Sequence, residues 1–310
     1  MKIIMTGGTG FLGSKIVKRL IKEEYQVVLL KRKNSDCGRI EEEMGKCSVY
    51  NVDEQTEMGT SLSMKEIFQK EKPHGVIHCA VRYGRKDDET VEVAKTNLLF
   101  GLELLDCASQ AGCDFFINTG SYSTKQLSCG RMTQKIYMAD YTLSKYQFIN
   151  WGEEFAALGK IRFYSMDLEH IFGEDDIQGK FIRYVEHNCV HNVPKLELSD
   201  GMQERDYIYS ENVVDAYMKV IENLENLPKF QQFQVGMGQP ITLKEFVTMI
   251  WKEADSQTKL CFGERPRNDN EPLSSVADIS SLEVIGWKPR YTREEGIAEM
   301  IKRDKELGIL

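Results

Sequence analysis

The chain has 310 residues, of which 41% are hydrophobic and 28% are charged. It contains 40 lysines and arginines and 48 aspartates and glutamates, so its formal net charge is −8 at pH 7. This composition is typical of a folded globular protein and excludes a disordered, collagen-like or coiled-coil chain. The acidic balance also argues against general binding of nucleic acid.

Strands and helices alternate along the first half of the sequence. An apolar run at residues 2–5 ends in a glycine cluster, apolar positions at helical spacing follow over 11–24, and a β-branched run occupies 25–30. Further strands are predicted at 47–52, 75–79, 114–119 and 161–168, and further helices at 63–70, 90–111 and 141–158. Since these strands are continuously apolar, we predict an α/β fold with a doubly wound parallel sheet of the Rossmann type, covered by helices.

The pattern changes after residue 173. Six of the seven prolines lie beyond it. Helical patterns at 178–189, 210–223, 242–254 and 292–306 are separated there by short strand-like pieces. We therefore predict two regions: a sheet domain over residues 1–173, and a smaller α+β region over 174–310 that binds the substrate.

A glycine-rich turn joins the first predicted strand to the first helix. Its glycines form the pattern G-x-x-G-x-x-G. The first glycine permits a tight turn, the second lets backbone N–H groups approach a pyrophosphate, and the third lets the helix pack on the sheet. Since the pattern lies between a strand and an amphipathic helix, it predicts a dinucleotide site in the sheet domain, with a tight turn that binds nothing as the alternative. The site would be formed by Gly7, Thr9, Gly10, Phe11, Leu12 and Gly13.

The residues at the end of the second strand distinguish the two dinucleotides. An NAD site usually has an acidic residue there for the ribose 2′-hydroxyl, whereas an arginine accommodates the 2′-phosphate of NADP. This chain has Lys31, Arg32 and Lys33 and no carboxylate at that point. We therefore expect NADP(H) to be preferred over NAD(H), with a solvated basic turn as the alternative.

A tyrosine and a lysine one helical turn apart are candidates for proton transfer. Tyr141 and Lys145 lie at positions i and i+4, and so on one face of a predicted helix. A free tyrosine has a pKa of about 10, and a nearby ammonium group lowers it. The pair could then exchange a proton with a hydroxyl group beside a bound nicotinamide.

The glycine turn, Ser121 after the fifth strand, and the Tyr141–Lys145 pair occur in the order typical of the short-chain dehydrogenase/reductase superfamily. The chain resembles its extended branch, which contains sugar-nucleotide epimerases, dehydratases and reductases. The resemblance implies that Ser121 hydrogen-bonds the reacting oxygen, that Tyr141 is the acid–base and that Lys145 binds the nicotinamide ribose. It also implies further contacts with the coenzyme, at Val52, Asp53, Ala80, Val81, Thr119 and His170.

Two differences from the family's patterns narrow the expected reaction. The 4,6-dehydratases carry an aspartate–glutamate pair after the fifth-strand threonine, whereas Gly120 and Ser121 follow Thr119 here, so we do not expect dehydration. The 4-epimerases usually have an acidic residue after the second strand, where this chain has Lys31 and Arg32. A reductase that exchanges NADPH in each turnover fits the sequence better.

Segments of the second half resemble the CDP-abequose and CDP-paratose synthases, which reduce the 4-ketone of a CDP-linked 3,6-dideoxyhexose with NADPH. They lie at 166–173, 179–182, 205–209, 234–236, 268–271 and 286–289. The first departs from the family pattern R-x-x-N-x-Y-G, because Asp167 replaces the arginine. The substrate's diphosphate needs cations. We expect substrate contacts at Arg82, Tyr83, Ser121, Tyr122, Lys180, Arg205 and Arg267.

The sequence thus predicts an NADPH-dependent 4-ketoreductase of nucleotide-linked deoxyhexoses, serving deoxysugar and surface polysaccharide (lipopolysaccharide) biosynthesis. Two alternatives remain: an NAD-dependent nucleotide-sugar 4-epimerase, and a non-catalytic protein that senses the dinucleotide. As often in the family, the helices over 90–111 and 141–158 could pair with those of a second copy, which would give a homodimer. No metal is expected, because Asn188 follows His187 where the H-E-x-x-H motif of zinc proteases has its glutamate, and no third ligand accompanies His187 and His191.

No apolar run approaches the roughly 20 residues that a membrane-spanning helix needs. Glycine also follows the first residues too soon for the core of a signal peptide. We therefore expect a cytoplasmic protein without a membrane partner, whose eight cysteines are free thiols.

Overall fold

The computed structural model describes residues 1–52, 62–84, 89–128, 138–177, 179–267 and 272–310. Asp53, which was assigned to the coenzyme, and the segment 268–271 lie outside these ranges. Among the described residues, no helix is both long and apolar enough to span a bilayer.

The strands follow in chain order. They are β1 (Lys2–Thr6), β2 (Gln26–Lys31), β3 (Cys47–Asn51), β4 (Gly75–His78), β5 (Phe115–Ser121), β6 (Arg162–Leu168), β7 (His170–Phe172), β8 (Lys195–Leu198), β9 (Glu204–Arg205), β10 (Tyr207–Tyr209), β11 (Phe230–Val235), β12 (Ile241–Thr242) and β13 (Lys259–Phe262).

The longer helices agree with the periodicity of the sequence, and three helices of four or five residues were not predicted. They are α1 (Phe11–Lys22), α2 (Glu41–Met44), α3 (Met64–Glu71), α4 (Thr90–Ala94), α5 (Phe100–Gln110), α6 (Lys125–Ser128), α7 (Ala139–Ala157), α8 (Phe181–Val190), α9 (Ser210–Glu222), α10 (Leu243–Glu253), α11 (Ser280–Val284) and α12 (Arg293–Glu306). A π-helical stretch, Lys95–Leu99, joins α4 to α5, so the helix predicted over 90–111 is continuous but locally widened.

A seven-stranded sheet has the order β11–β6–β5–β4–β1–β2–β3. The neighbours from β3 to β5 are parallel. Ile3, Ile4 and Met5 have 0% exposure, so β1 is covered on both faces. The predicted doubly wound parallel sheet is confirmed. Its strand order reverses between β1 and β4, and the carboxyl ends of strands at such a point are where open α/β sheets bind ligands.

The chain divides into two compact units, one of residues 1–167 and 220–233, the other of residues 168–219 and 234–310. The sequence predicts a boundary at residue 173. In the structure, 168–173 group with the second unit, and 220–233 return to the first because most of β11 adds a strand to its sheet.

Aromatic packing fixes α7 against the sheet of the first unit. The rings of Phe116 and Phe163 are stacked with 5.6 Å between their centroids, and Phe148 of α7 meets both edge-on. Gly152 lets α7 approach closely, because a Cβ there would overlap the ring of Phe163. This packing positions the amino end of α7, which carries the predicted acid–base.

The described residues of the second unit form three pairs of short strands. β7 and β10 are parallel, as are β8 and β13, whereas β9 and β12 are antiparallel. Its core includes the ring of Tyr207 stacked on that of Phe246, with 3.9 Å between centroids. Helices α8, α10 and α12 contribute buried apolar residues to the same core.

Candidate active site

The turn between β1 and α1 has a backbone that a side chain would obstruct. Gly7 has a φ of +67°, and a Cβ there would lie 2.5 Å from the carbonyl carbon of Cys79. A Cβ at Gly13 would overlap the carbonyl oxygen of Gly7. Hydrogen bonds close the turn, since the N–H of Gly10 donates to Gly7 (3.0 Å) and that of Ser14 to Gly10 (2.9 Å). Both glycines are therefore required for the close packing of this turn.

The amino end of α1 fits a bound phosphate. Gly10 is its N-cap residue, none of the described side chains caps the helix, and its first turn, which begins with Phe11 and Leu12, carries no acidic residue. The backbone N–H groups at the start of a helix and the helix dipole both favour an anion at such an end. Together with half-buried Thr9, the turn has the features that a dinucleotide pyrophosphate needs.

His78, which sequence reasoning missed as a functional residue, supports this turn from β4. Its Nδ1 lies 2.7 Å from Oγ1 of Thr6. The N–H of Ala80 donates to the same oxygen at 3.4 Å, and Val81 follows it. Burial, and then the nearby Lys145 ammonium, lower the pKa of His78 to about 3, so the ring is neutral at pH 7. A histidine that ends an apolar strand was the signal available in the sequence.

The residues expected to bind the 2′-phosphate, Lys31 to Lys33, lie at the end of β2, beside the end of β3. Nζ of Lys31 donates to the carbonyl oxygens of Arg32 and Lys33, each at 3.1 Å. Arg32 is exposed, and Val52 is half-buried. The N–H of Val52 donates to the carbonyl oxygen of Lys31 at 3.0 Å, which joins the two strand ends.

The structure brings Ser121 and Tyr141 together. Ser121 ends β5, Tyr141 lies in the first turn of α7, and the Ser121 hydroxyl is close enough to the phenol to lower its pKa. The Ser121 hydroxyl also lies 3.0 Å from that of Ser123, and Tyr122 begins the short 3-10 turn between them. The ring of Tyr83 stacks on that of Tyr141, with 5.4 Å between centroids.

The phenol of Tyr141 is almost completely buried, at 9% exposure. Burial raises its pKa above the usual value and Tyr83 raises it further, whereas the Ser121 hydroxyl lowers it. The sequence predicts that Lys145 lowers this pKa. That prediction is wrong for this structure, because burial outweighs the other influences and the ammonium is directed elsewhere.

Lys145 lies one turn after Tyr141 and is 1% exposed. Its Nζ donates to the carbonyl oxygen of Thr119 at 2.8 Å. Burial lowers the pKa of Lys145 to about 8, while Cys79 and Asp167 raise it. The hydroxyl of Thr119 in turn donates to the sulfur of Cys79 at 3.0 Å.

Asn97, also missed, connects the loop after β4 to α7. Its side chain accepts a hydrogen bond from the N–H of Arg82 and donates to the carbonyl oxygen of the same residue, both at 2.8 Å. It also donates to the hydroxyl of Ser144 (3.1 Å), which donates to the carbonyl oxygen of Tyr141 (2.8 Å). Asn97 therefore holds the segment of Arg82 and Tyr83 beside Tyr141. A lone asparagine in an apolar helix was the available signal.

A carboxyl group lies close to these residues where the family has an arginine. Asp167, near the end of β6, is 6% exposed and accepts a hydrogen bond from the hydroxyl of Ser165 at 2.7 Å. Gly120 of β5 leaves room for it, because a Cβ at that position would overlap Oδ1 of Asp167. Burial raises the pKa of Asp167 to about 7, whereas Ser165, Lys125 and Lys145 lower it.

Two of the predicted residues of the second unit belong to its short strands. His170, in β7, meets the ring of Tyr207 edge-on at 5.7 Å, and its Nδ1 lies 3.6 Å from the carboxylate of Glu169. Arg205, in β9, is 4% exposed and donates to the carbonyl oxygen of Glu204 at 2.7 Å.

The other two predicted residues lie in connecting segments. Lys180 precedes α8 and forms an ion pair with Asp176 at 2.8 Å. Arg267 is half-buried. The described residues contain no group of three or more histidine, cysteine or acidic side chains suited to a metal ion. His187 and His191 instead stack on each other with 4.1 Å between centroids.

Comparison with known proteins identifies a family and relatives that match most of the chain. The model of the NAD-dependent epimerase/dehydratase family matches residues 3–236. The CDP-abequose synthase of Salmonella typhimurium strain LT2 is 30% identical over 97% of each chain. A putative UDP-glucose 4-epimerase of Methanocaldococcus jannaschii is 24% identical over 96% of this chain and 97% of that one. The solved UDP-glucose 4-epimerase of Thermotoga maritima, with UDP-glucose, has the same fold, with a TM-score of 0.81 at 21% identity over 99% of each chain.

Proposed function

The chain belongs to the NAD-dependent epimerase/dehydratase family, and from that premise we propose that it uses NADPH to reduce the 4-keto group of a nucleotide-diphospho-deoxyhexose. It is an enzyme of the NAD(P)-dependent oxidoreductase type. The observation that carries the proposal is the placement of the Ser121 hydroxyl beside the phenol of Tyr141, with the buried ammonium of Lys145 one helical turn further on.

Tyr141 is the proton donor in this proposal. Because its pKa is raised, the phenol is protonated at neutral pH and can give its proton to the oxygen at C4. Ser121 donates a hydrogen bond to the same oxygen and stabilises the negative charge that develops there. The coenzyme, when bound, supplies the hydride. A protonated phenol suits reduction, whereas a 4-epimerase must first take a proton from the 4-hydroxyl group, which requires the phenolate.

The glycine turn and the basic residues after β2 support NADPH as the coenzyme. The N–H groups at the start of α1 would bind the pyrophosphate. Exposed Arg32 would bind the 2′-phosphate, and Lys31 would place a second cation beside it. Lys145 would hold the nicotinamide ribose.

The identity of the sugar nucleotide is proposed from the relative at 30% identity, which is a CDP-abequose synthase. A CDP-linked substrate carries a diphosphate, and an acidic protein needs local cations to bind it. We assign this role to Arg205, Lys180 and Arg267 of the region 174–310. Arg82 and Tyr83 would contact the sugar.

A panel of substrates tests the proposal. The purified protein is mixed with NADPH and with CDP-, dTDP-, UDP- or GDP-linked 4-keto sugars, and the reaction is followed by nicotinamide absorbance. We expect oxidation of NADPH, fastest with the CDP-linked sugar. Tightly bound NAD and activity without added coenzyme would show an epimerase instead. Binding of NADPH without turnover of any of these sugars would show a sensor.

We also propose a homodimer formed through the helices over 90–111 and 141–158. Large apolar side chains are exposed on them: Val91 (59%), Leu99 (58%), Leu143 (40%) and Trp151 (49%). Their burial against a second copy would stabilise the association. Sedimentation of the wild-type protein should show a dimer, and Leu99→Glu should shift it toward the monomer. A wild-type monomer at all concentrations would contradict this.

A further inference from the structure

We propose that Asp167 is a positioning residue that keeps the buried side chain of Lys145 charged, and that Gly120 is required because it leaves room for this carboxylate. The inference deepens the proposed function, since it rests on the role given there to Lys145. The charge on Lys145 can, however, be measured without any turnover.

The first argument is the placement of the carboxyl group. β5 and β6 are neighbours in the sheet, and Oδ1 of Asp167 lies where a side chain at Gly120 would begin. The amide of Asn118 donates to the hydroxyl of Ser165 (3.2 Å), which donates to Oδ1 of Asp167 (2.7 Å). These buried donors fix the carboxyl group and stabilise its ionised form.

The second argument is the need of the ammonium group for a countercharge. Lys145 is 1% exposed, and the carbonyl oxygen of Thr119 offers it only a partial negative charge. A buried ammonium loses its proton readily unless an opposite charge is close. Thr119, whose carbonyl oxygen accepts from Lys145, directly precedes Gly120, and the Asp167 carboxyl group lies against Gly120. Cys79 and then Asp167 favour the protonated form of Lys145. Of these two groups, we assign the role of countercharge to Asp167, because its carboxylate accepts a buried hydrogen bond from Ser165 that favours its ionised form.

Other titratable groups face this pair from the neighbouring elements. His78 at the end of β4 is neutral near pH 7, since its pKa is about 3. Tyr141 of α7 is protonated. Lys125 of α6 is a second cation that favours the ionised form of Asp167. Near neutral pH, the charge on Lys145 therefore depends on the state of Asp167.

The direct test is a titration of Lys145 by NMR in coenzyme-free protein labelled with ¹³C at the lysine Cε. In Asp167→Asn, which keeps the shape and the acceptor for Ser165, the pKa of Lys145 should fall by about one pH unit, the size expected when a close opposite charge is lost. Asp114→Asn, just before the start of β5, is the matched control and should leave the pKa of Lys145 unchanged. An unchanged pKa in Asp167→Asn would overturn the inference, and a purely structural role for Asp167 would give this same result.

The reverse measurement keeps the test decisive if Asp167→Asn folds poorly. Coupling between two titrating groups is reciprocal, so Lys145→Gln should raise the pKa of the Asp167 carboxyl by a similar amount, read from its ¹³C resonance. No change would again contradict the inference. Neither readout requires a substrate, so failure of the proposed reductase activity in the substrate panel is a separate result.

The role of Gly120 is tested by a double-mutant cycle. Gly120→Ala should lower the melting temperature and the pKa of Lys145 together, because the new methyl group displaces the carboxylate. In the Asp167→Ala background, Gly120→Ala should lower the melting temperature by less than it does in the wild type. Equal losses in the two backgrounds would show that Gly120 is required for another reason.

Discussion

The ring of Tyr83 stacks on the ring of Tyr141, with 5.4 Å between the centroids and an angle of 28° between the planes. The two residues are 58 positions apart, so the contact depends on the fold and not on local sequence. Asn97 holds the backbone on one side of Tyr83 through Arg82. The stack therefore restrains the residue that we propose as the proton donor.

Replacement of Tyr83 should impair the proposed reaction according to what replaces the ring. Tyr83→Leu removes a stack worth about 0.5–1.5 kcal/mol, so kcat should fall by up to roughly tenfold. Tyr83→Phe keeps the ring and should retain most of the activity. Steady-state kinetics with NADPH and the best sugar nucleotide measure both, and equal losses in the two variants would assign the effect to the hydroxyl group instead.

Alanine substitutions at two glycines of the β1–α1 turn should distinguish effects on folding from effects on coenzyme binding. In Gly10→Ala, the nearest atom to the added Cβ would be the carbonyl oxygen of Gly7 at 3.3 Å. The melting temperature of this variant should therefore stay close to that of the wild type. Its methyl group would lie where the phosphate approaches, and NADPH should bind at least roughly tenfold more weakly, or about 1.4 kcal/mol.

Gly13→Ala is the comparison variant for this test. Its Cβ would overlap the carbonyl oxygen of Gly7, so it should lose both stability and NADPH binding. Fluorescence titration with NADPH and thermal melting measure the two effects. Wild-type affinity in Gly10→Ala would show that the phosphate does not bind at this helix end.

Arg32 should determine the preference between the two coenzymes. A charge-assisted hydrogen bond is worth about 1.5–3 kcal/mol, so Arg32→Glu should weaken NADPH binding by about 10- to 100-fold and leave NADH binding nearly unchanged. Lys22→Gln, an exposed cation at the end of α1, is the control and should change neither. Equal effects on NADPH and NADH would mean that Arg32 does not contact the 2′-phosphate.

Asp167 should make the protein less stable as the pH rises. Burial raises its pKa from 3.8 to about 7, so the folded chain retains a proton that the unfolded chain releases between these values. The favourable contribution of Asp167 to the free energy of unfolding is therefore fully present below pH 4. It is lost as the pH rises to 7. Asp167→Asn should match the wild type near pH 4 and exceed its melting temperature at pH 8.

Exposed Asp114→Asn provides the control for that comparison, because it should follow the wild-type curve at both pH values. Thermal unfolding at pH 4 and at pH 8 measures the difference. A variant less stable than the wild type at pH 8 would show that the ionised carboxylate is a net stabiliser, contrary to the direction of its pKa shift.

The sequence predicted the elements that local periodicity determines. The apolar runs gave β1 to β6, and the glycine turn placed the start of α1 at Phe11. The seventh strand of the sheet was not predicted, because Phe230–Val235 alternates in burial and its partner, β6, lies more than 60 positions earlier. Local patterns contain no information about such pairing.

The polar partners of the site depend on the same long-range pairing. His78 meets Thr6, Asn97 meets Arg82, and Asp167 fills the space beside Gly120 only once the strands and helices are in register. The pKa of Tyr141 was predicted with the wrong sign for this reason. The i,i+4 spacing to Lys145 was visible in the sequence, but the burial of the phenol was not.

The measurement that tests the account most directly is the rate of NADPH oxidation by Tyr141→Phe with the 4-keto sugar nucleotide that the wild-type protein reduces fastest. The variant lacks only the hydroxyl group that would donate the proton. We predict that it folds, binds NADPH as the wild type does, and loses turnover by a factor of about 100 or more. A folded variant that reduces the sugar nucleotide at the wild-type rate would contradict the role of Tyr141, and with it the mechanism.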